Sequence, residues 1–156
     1  GKILCLFGEP QWAVTGDTFP LGCAFQSDVV YSEFFDENPD SADKIYQTKY
    51  GIYDKKCGLD NVTLSWGHDE YMYLVAQDYL PEAALYMIRY HSFYSGHSSD
   101  NYLHLFNDHD EAMFEWVKRF NHYDLYTKHD QPPDVKLLKP YYEDLISRYF
   151  PDKIAW

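Results

Sequence analysis

From Leu59 onward, apolar residues recur at helical spacing. Tyr71, Leu74, Val75 and Tyr79 fall at i, i+3, i+4 and i+8, and Asp69 and Glu70 precede them where a helix N-terminus favours negative charge. Pro81 stands where a new helix would begin, and Ala84, Leu85, Met87 and Ile88 continue it. The run Ser95 to Ser99 breaks the pattern. Asp110 is placed to cap a further helix with the stripe Met113, Trp116, Val117 and Phe120. Pro132-Pro133 marks the next break, and a last helix is expected over Lys139 to Phe150.

The N-terminal part reads differently. Residues 2–7 look like the end of a helix stopped at Gly8-Glu9-Pro10. Residues 9–28, with Pro10, Gly16, Pro20 and Gly22, form a long loop of the kind that often carries function. A short apolar stretch from Val29 to Phe35 leads into an irregular, polar region, 36–58, expected at the surface. No strand pair, internal repeat or second domain is visible, so the expectation is a single all-α domain over residues 1–156. The absence of an initiator Met, with an apolar run at residues 3–7, leads us to expect that the natural N-terminus lies upstream.

Composition narrows the classes of function. Aromatic residues make up 19% of the 156 residues, which excludes a disordered chain. With 25 Asp and Glu against 13 Lys and Arg, the formal charge is −12. No basic cluster could displace counterions from phosphates, so neither a nucleic acid nor an anionic membrane is expected as partner. A neutral polyol or a metal cation suits this field. Three widely spaced cysteines, Cys5, Cys23 and Cys57, point to a reducing, cytoplasmic setting.

Polar residues on faces that should be apolar are the candidate chemistry. His91 follows Met87 by four residues and Ala84 by seven, on the inner face of its helix. Asp124 follows Phe120 by four, again on the apolar stripe. A buried carboxylate costs several kcal/mol, on the order of 3 or more, unless a cation or several donors compensate it. His68 opens a helix within Ser65-Trp66-Gly67-His68-Asp69-Glu70. Each residue alone is most simply a satisfied core group, and three are too few to define a site by spacing. Histidines with carboxylates suit iron, manganese or zinc alike. His97, His104, His109, His122 and His129 stand in polar surroundings and are expected at the surface.

Several long stretches resemble one family. Pro10-Gln11-Trp12-Ala13-Val14 with Gly16-Asp17-Thr18-Phe19-Pro20, Cys57-Gly58-Leu59-Asp60, residues 65–73, Ile88 to Tyr94, Phe120-Asn121, Asp124-Leu125-Tyr126 with Lys128, Lys139-Pro140-Tyr141-Tyr142 and Trp156 are similar to myo-inositol oxygenases across the whole chain. The resemblance implies an HD-domain-like helical bundle, truncated at its N-terminus, that holds two iron ions in the mixed-valent Fe(II)/Fe(III) state. It implies oxidation of myo-inositol by O2, with ring cleavage to D-glucuronate, by a monomeric enzyme. His68 and His91 would ligate one iron, and Asp124 the other. Lys2, Gly16, Asp17, His91, Ser92 and Lys128 would face the substrate, with Lys2 and Lys128 stabilising a bound alkoxide. The family pattern also places a His upstream and a His-Asp doublet just before Gly1, so only half of the protein ligands fall within this chain, which is expected to be inactive alone. Two other readings are a metal-dependent phosphohydrolase of the HD superfamily and an inactive helical binding fragment. The doublets His109-Asp110 and His129-Asp130 resemble HD ligand pairs only by coincidence, since neither follows a buried apolar run.

Overall fold

A computed structural model describes residues 6–8, 16–124, 131 and 133–154. Five α-helices are formed among the described residues: α1 (His68–Ala76), α2 (Glu82–Tyr90), α3 (Tyr94–His97), α4 (Asp108–Asp124) and α5 (Val135–Ser147). The all-α expectation holds there, with an isolated antiparallel bridge between Pro20 and Leu64 and no strand. The helix expected at residues 2–7 lies largely outside the described residues. None of the described helices is long and apolar enough to cross a membrane.

Residues 16–58 are a structured loop with 3-10 turns at Ser32–Glu37 and Pro39–Ala42. Two kinds of contact hold it. Phe19, Phe25 and Phe35 cluster with centroids 4.2 to 5.6 Å apart. Backbone bonds then tie the loop to the chain before α1, from Leu21 N–H to the Thr63 carbonyl (2.8 Å) and from Ser65 N–H to the Phe19 carbonyl (2.8 Å). Gly51 lets the loop close on itself. Its φ is +59°, and a Cβ there would lie 1.8 Å from the Gly22 carbonyl oxygen.

The core gathers Cys23, Leu59, Val62, Tyr86, Tyr90, Phe93, Tyr102, Leu105, Phe106, Phe114 and Val117. α2 lies between α1 and α4, and Phe106 meets Phe114 edge to face at 4.6 Å. The start of α4 is a capping box. Asn107 Oδ1 accepts from Asp110 N–H, and Asp110 Oδ2 accepts from Asn107 N–H, each at 2.9 Å.

The phase of the stripes differs from the sequence reading. In α1 the inner face is Asp69 and Ala76, while Leu74 is 44% exposed. In α4 it runs through Asp110, Phe114 and Val117, and Trp116 is 44% exposed. Both helices carry apolar residues on more than one face, so hydrophobicity alone could not fix their rotation. α5 begins four residues before the expected Lys139, because the Asp134 carboxylate caps it by accepting from Lys136 and Leu137 N–H groups at 3.0 and 3.2 Å. It buries none of its residues. The stretch expected as a break, Ser95 to Ser99, contains most of α3.

Candidate metal and substrate site

His68 is the first residue of α1. Gly67 precedes it in extended backbone, and a Cβ on Gly67 would stand 2.9 Å from Asp69 Oδ1. That carboxylate oxygen needs the space, because it accepts from Glu70 N–H at 2.9 Å. Asp69 is 1% exposed, and its other oxygen accepts the Thr18 hydroxyl. Thr18 N–H in turn donates to the Ser92 carbonyl at 2.8 Å. The loop at 17–20, the first turn of α1 and the end of α2 therefore converge on one point.

His91 follows α2 directly. Its Nδ1 lies 2.7 Å from the Ile88 carbonyl, a contact that requires the proton on Nδ1 and leaves a lone pair on Nε2. Nε2 meets His68 Nε2 at 2.9 Å, with the two rings nearly perpendicular. With no cation between them, His68 must donate from Nε2, and its Nδ1 is then a buried acceptor with no partner. Burial, foremost, and the neighbouring His91 push the His68 pKa down, against the opposing pull of Asp69 and Asp124. The neutral imidazole, which is the ligating form, is thereby favoured. Two Nε2 atoms aimed at one another, one ring fixed through Nδ1 on a carbonyl, fit the imidazole edge of a metal site.

The remaining candidates fall around this pair. Ser92 is buried, with Oγ 3.3 Å from His68 Nε2. Asp124, the last residue of α4, accepts the Tyr94 hydroxyl at 3.2 Å, and burial together with that carboxylate pushes the Tyr94 pKa up to about 12. Asp17 accepts from Val30 N–H at 3.1 Å, and Gly16 is exposed with φ +137°. Among the described residues no three ligating side chains come close enough together to hold a metal ion. Lys2 and Lys128 lie outside the described residues. A cavity of about 360 Å³ lined by Asp60, Tyr73, Glu82 and Arg89 opens elsewhere, away from the histidines.

His97 corrects the sequence reading. It is buried, its Nε2 donates to the His91 carbonyl at 2.8 Å, and its Nδ1 accepts the Ser98 hydroxyl at 3.0 Å. Burial lowers its pKa. Of the polar neighbours that suggested a surface position, Ser98 is a hydrogen-bond partner. His104 is half-buried rather than exposed, and His109 and His122 are exposed as expected. His129 lies outside the described residues. Sequence reasoning also passed over Asp69 as more than a helix-end charge, and no local signal could have paired it with Thr18, 51 residues away.

Comparison with known proteins adds a second line. A family model described as "Myo-inositol oxygenase" matches residues 1–156. The chain is 55% identical over 151 residues to "Inositol oxygenase" of Dictyostelium discoideum, covering 95% of this chain and 52% of that protein. It is 54% identical to "Inositol oxygenase 1" of Arabidopsis thaliana and 52% identical to "Inositol oxygenase" of Homo sapiens. Those matches take in all of this chain and 52% and 56% of the relatives. The chain thus spans about half the length of the curated relatives it matches.

Proposed function

Since the chain belongs to the myo-inositol oxygenase family, we propose that it carries part of the site of an enzyme that oxidises myo-inositol with O2 to D-glucuronate. In this reading the described helices belong to a single HD-domain-like catalytic domain. His68 and His91 would hold one iron through their Nε2 atoms, and Asp124 would ligate a second. When bound, a mixed-valent Fe(II)/Fe(III) pair supplies Lewis acidity towards the inositol oxygens and electrons for O2.

The chain's own residues then have distinct tasks. His91 stays in register because its Nδ1 proton is committed to Ile88, and the half-buried His68 is kept neutral, with a free Nδ1 that can take the proton Nε2 gives up on ligation. Asp17, Gly16 and Ser92 would accept or donate hydrogen bonds to a polyol, while Lys2 and Lys128 would stabilise its alkoxide form. The Thr18 contacts to Asp69 and Ser92 hold the 16–20 loop against the histidines, where it would limit entry of water. Cys23 and Cys57 are free, which supports a reducing, cytoplasmic setting.

The observation that carries the reading is the 2.9 Å contact between the two Nε2 atoms, with His68 Nδ1 left unpartnered. The test is iron content and inositol-dependent O2 uptake of the full-length protein and its His91→Ala variant. Uptake should fall at least about 100-fold, with loss of iron. Unchanged uptake in the variant, or phosphate release from phosphomonoesters in place of O2 uptake, would refute it.

A further inference from the structure

Both imidazoles stand at helix ends, where backbone groups lack intrahelical partners and fraying is greatest. His68 is in the first turn of α1, whose N-cap, Gly67, makes no side-chain cap bond. His91 is the residue just past α2. Thr18, bonded to Asp69 and to the Ser92 carbonyl, ties these ends on one side, and keeping the Nε2 atoms at one separation calls for a second tie.

Arg89 spans that gap. From the last turn of α2 its Nε and Nη2 donate to the two carboxylate oxygens of Glu70, in the first turn of α1, at 2.7 and 3.2 Å. Its Nη1 donates to Asp60 at 2.7 Å, and its guanidinium lies 4.3 Å from the Tyr73 ring centre. Glu70 follows His68 by two residues and Arg89 precedes His91 by two, so the ion pair ties the same two helix ends together from the opposite face, where Arg89 lines the cavity with Asp60 and Tyr73. A forked, two-bond pair fixes orientation as well as distance, which a lysine cannot reproduce.

The surroundings argue against a pair that only adds stability. The Arg89 and Glu70 side chains are 14% and 20% exposed, so dehydration offsets much of their attraction. What such a pair supplies best is geometry. Asp60, by contrast, is 72% exposed and holds the third edge of the guanidinium from solvent.

We propose that the Arg89–Glu70 pair is a positioning clamp that sets the separation of the His68 and His91 imidazoles. The role of that separation rests on the metal-ligating reading above. The clamp itself does not, and the two can be tested apart.

The experiment uses the full-length protein with labelled histidines. In the metal-free form, nitrogen–nitrogen coupling across the Nε2 contact should be visible by NMR. It should disappear in Arg89→Lys and Glu70→Gln, survive in Asp60→Asn, and return in the charge-swapped Arg89→Glu, Glu70→Arg double variant. Co(II) affinity, measured at a temperature where each variant is folded, should drop about 10- to 100-fold in the same single variants and recover in the swap. Coupling that persists in Arg89→Lys, or is absent from the wild type, overturns the clamp. Clamp-dependent coupling without any Co(II) binding confirms the clamp and overturns the metal reading instead.

Discussion

Two polar centres, one buried and one half-buried, lie against α2, and they are built on opposite principles. Asp110, at the start of α4, is 1% exposed and accepts three donors: Leu59 N–H and Asn107 N–H at 2.9 Å and the Tyr86 hydroxyl at 2.8 Å. Its capacity is used within the fold. The histidine pair partners three of its four ring nitrogens, in the Nε2–Nε2 contact and the His91 Nδ1 bond to the Ile88 carbonyl, and leaves His68 Nδ1 buried without a partner. A saturated polar centre fixes structure, whereas an unsaturated one keeps capacity for something outside the chain. Burial alone would have ranked Asp110 as the better functional candidate. Counting partners reverses that order.

The sharpest way to break the comparison is to remove the saturated carboxylate. Asp110→Ala strands three buried donors and dissolves a capping box, and should cost about 3 kcal/mol or more of stability, read from denaturant midpoints. A change below about 1 kcal/mol would mean that the centre is not structural. A finer version is Tyr86→Phe, which removes one donor of three and leaves the two backbone bonds. About 1 kcal/mol is expected in the same measurement.

The smallest effect belongs to a group between the two extremes. His104 is half-buried, its Nε2 lies 2.7 Å from the Lys49 carbonyl, and burial, foremost, lowers its pKa from 6.5. Because the folded state binds this proton less readily than the unfolded one, its contribution is present above the unfolded value of about 6.5 and is lost progressively as pH falls from there through the lower folded value. His104→Gln should therefore flatten the decline in stability between about pH 7 and pH 5.5, measured by chemical denaturation at each pH. An unchanged slope would remove His104 from the comparison.

The all-α class and the approximate positions of α1, α2 and α4 were legible because their apolar periodicity survives without context. His91, expected on an inner face with Ala84 and Met87, is half-buried beside the face that α2 does bury, Tyr86 and Tyr90. Rotation was not legible where a helix is greasy on several sides, as with Leu74 and Trp116. The start of α5 was hidden because Asp134 acts through two hydrogen bonds and not through hydrophobicity. His97 was misplaced for a related reason: a buried polar residue needs polar neighbours, and a string of them reads as surface. Arg89–Glu70, Thr18–Asp69 and Tyr94–Asp124 join positions 19, 51 and 30 residues apart, and only folding puts them side by side.

The two free cysteines within the described residues differ in a way that makes the chain its own stopwatch. Cys23 is 1% exposed in the core, and burial, with the nearby Cys57, raises its thiol pKa to about 11. Cys57 is only half-buried. Alkylating reagents attack the thiolate, so Cys57 should be labelled first, and Cys23 only in molecules whose interior has come apart. The adduct on Cys23, located by peptide mapping and followed over hours, would count those openings.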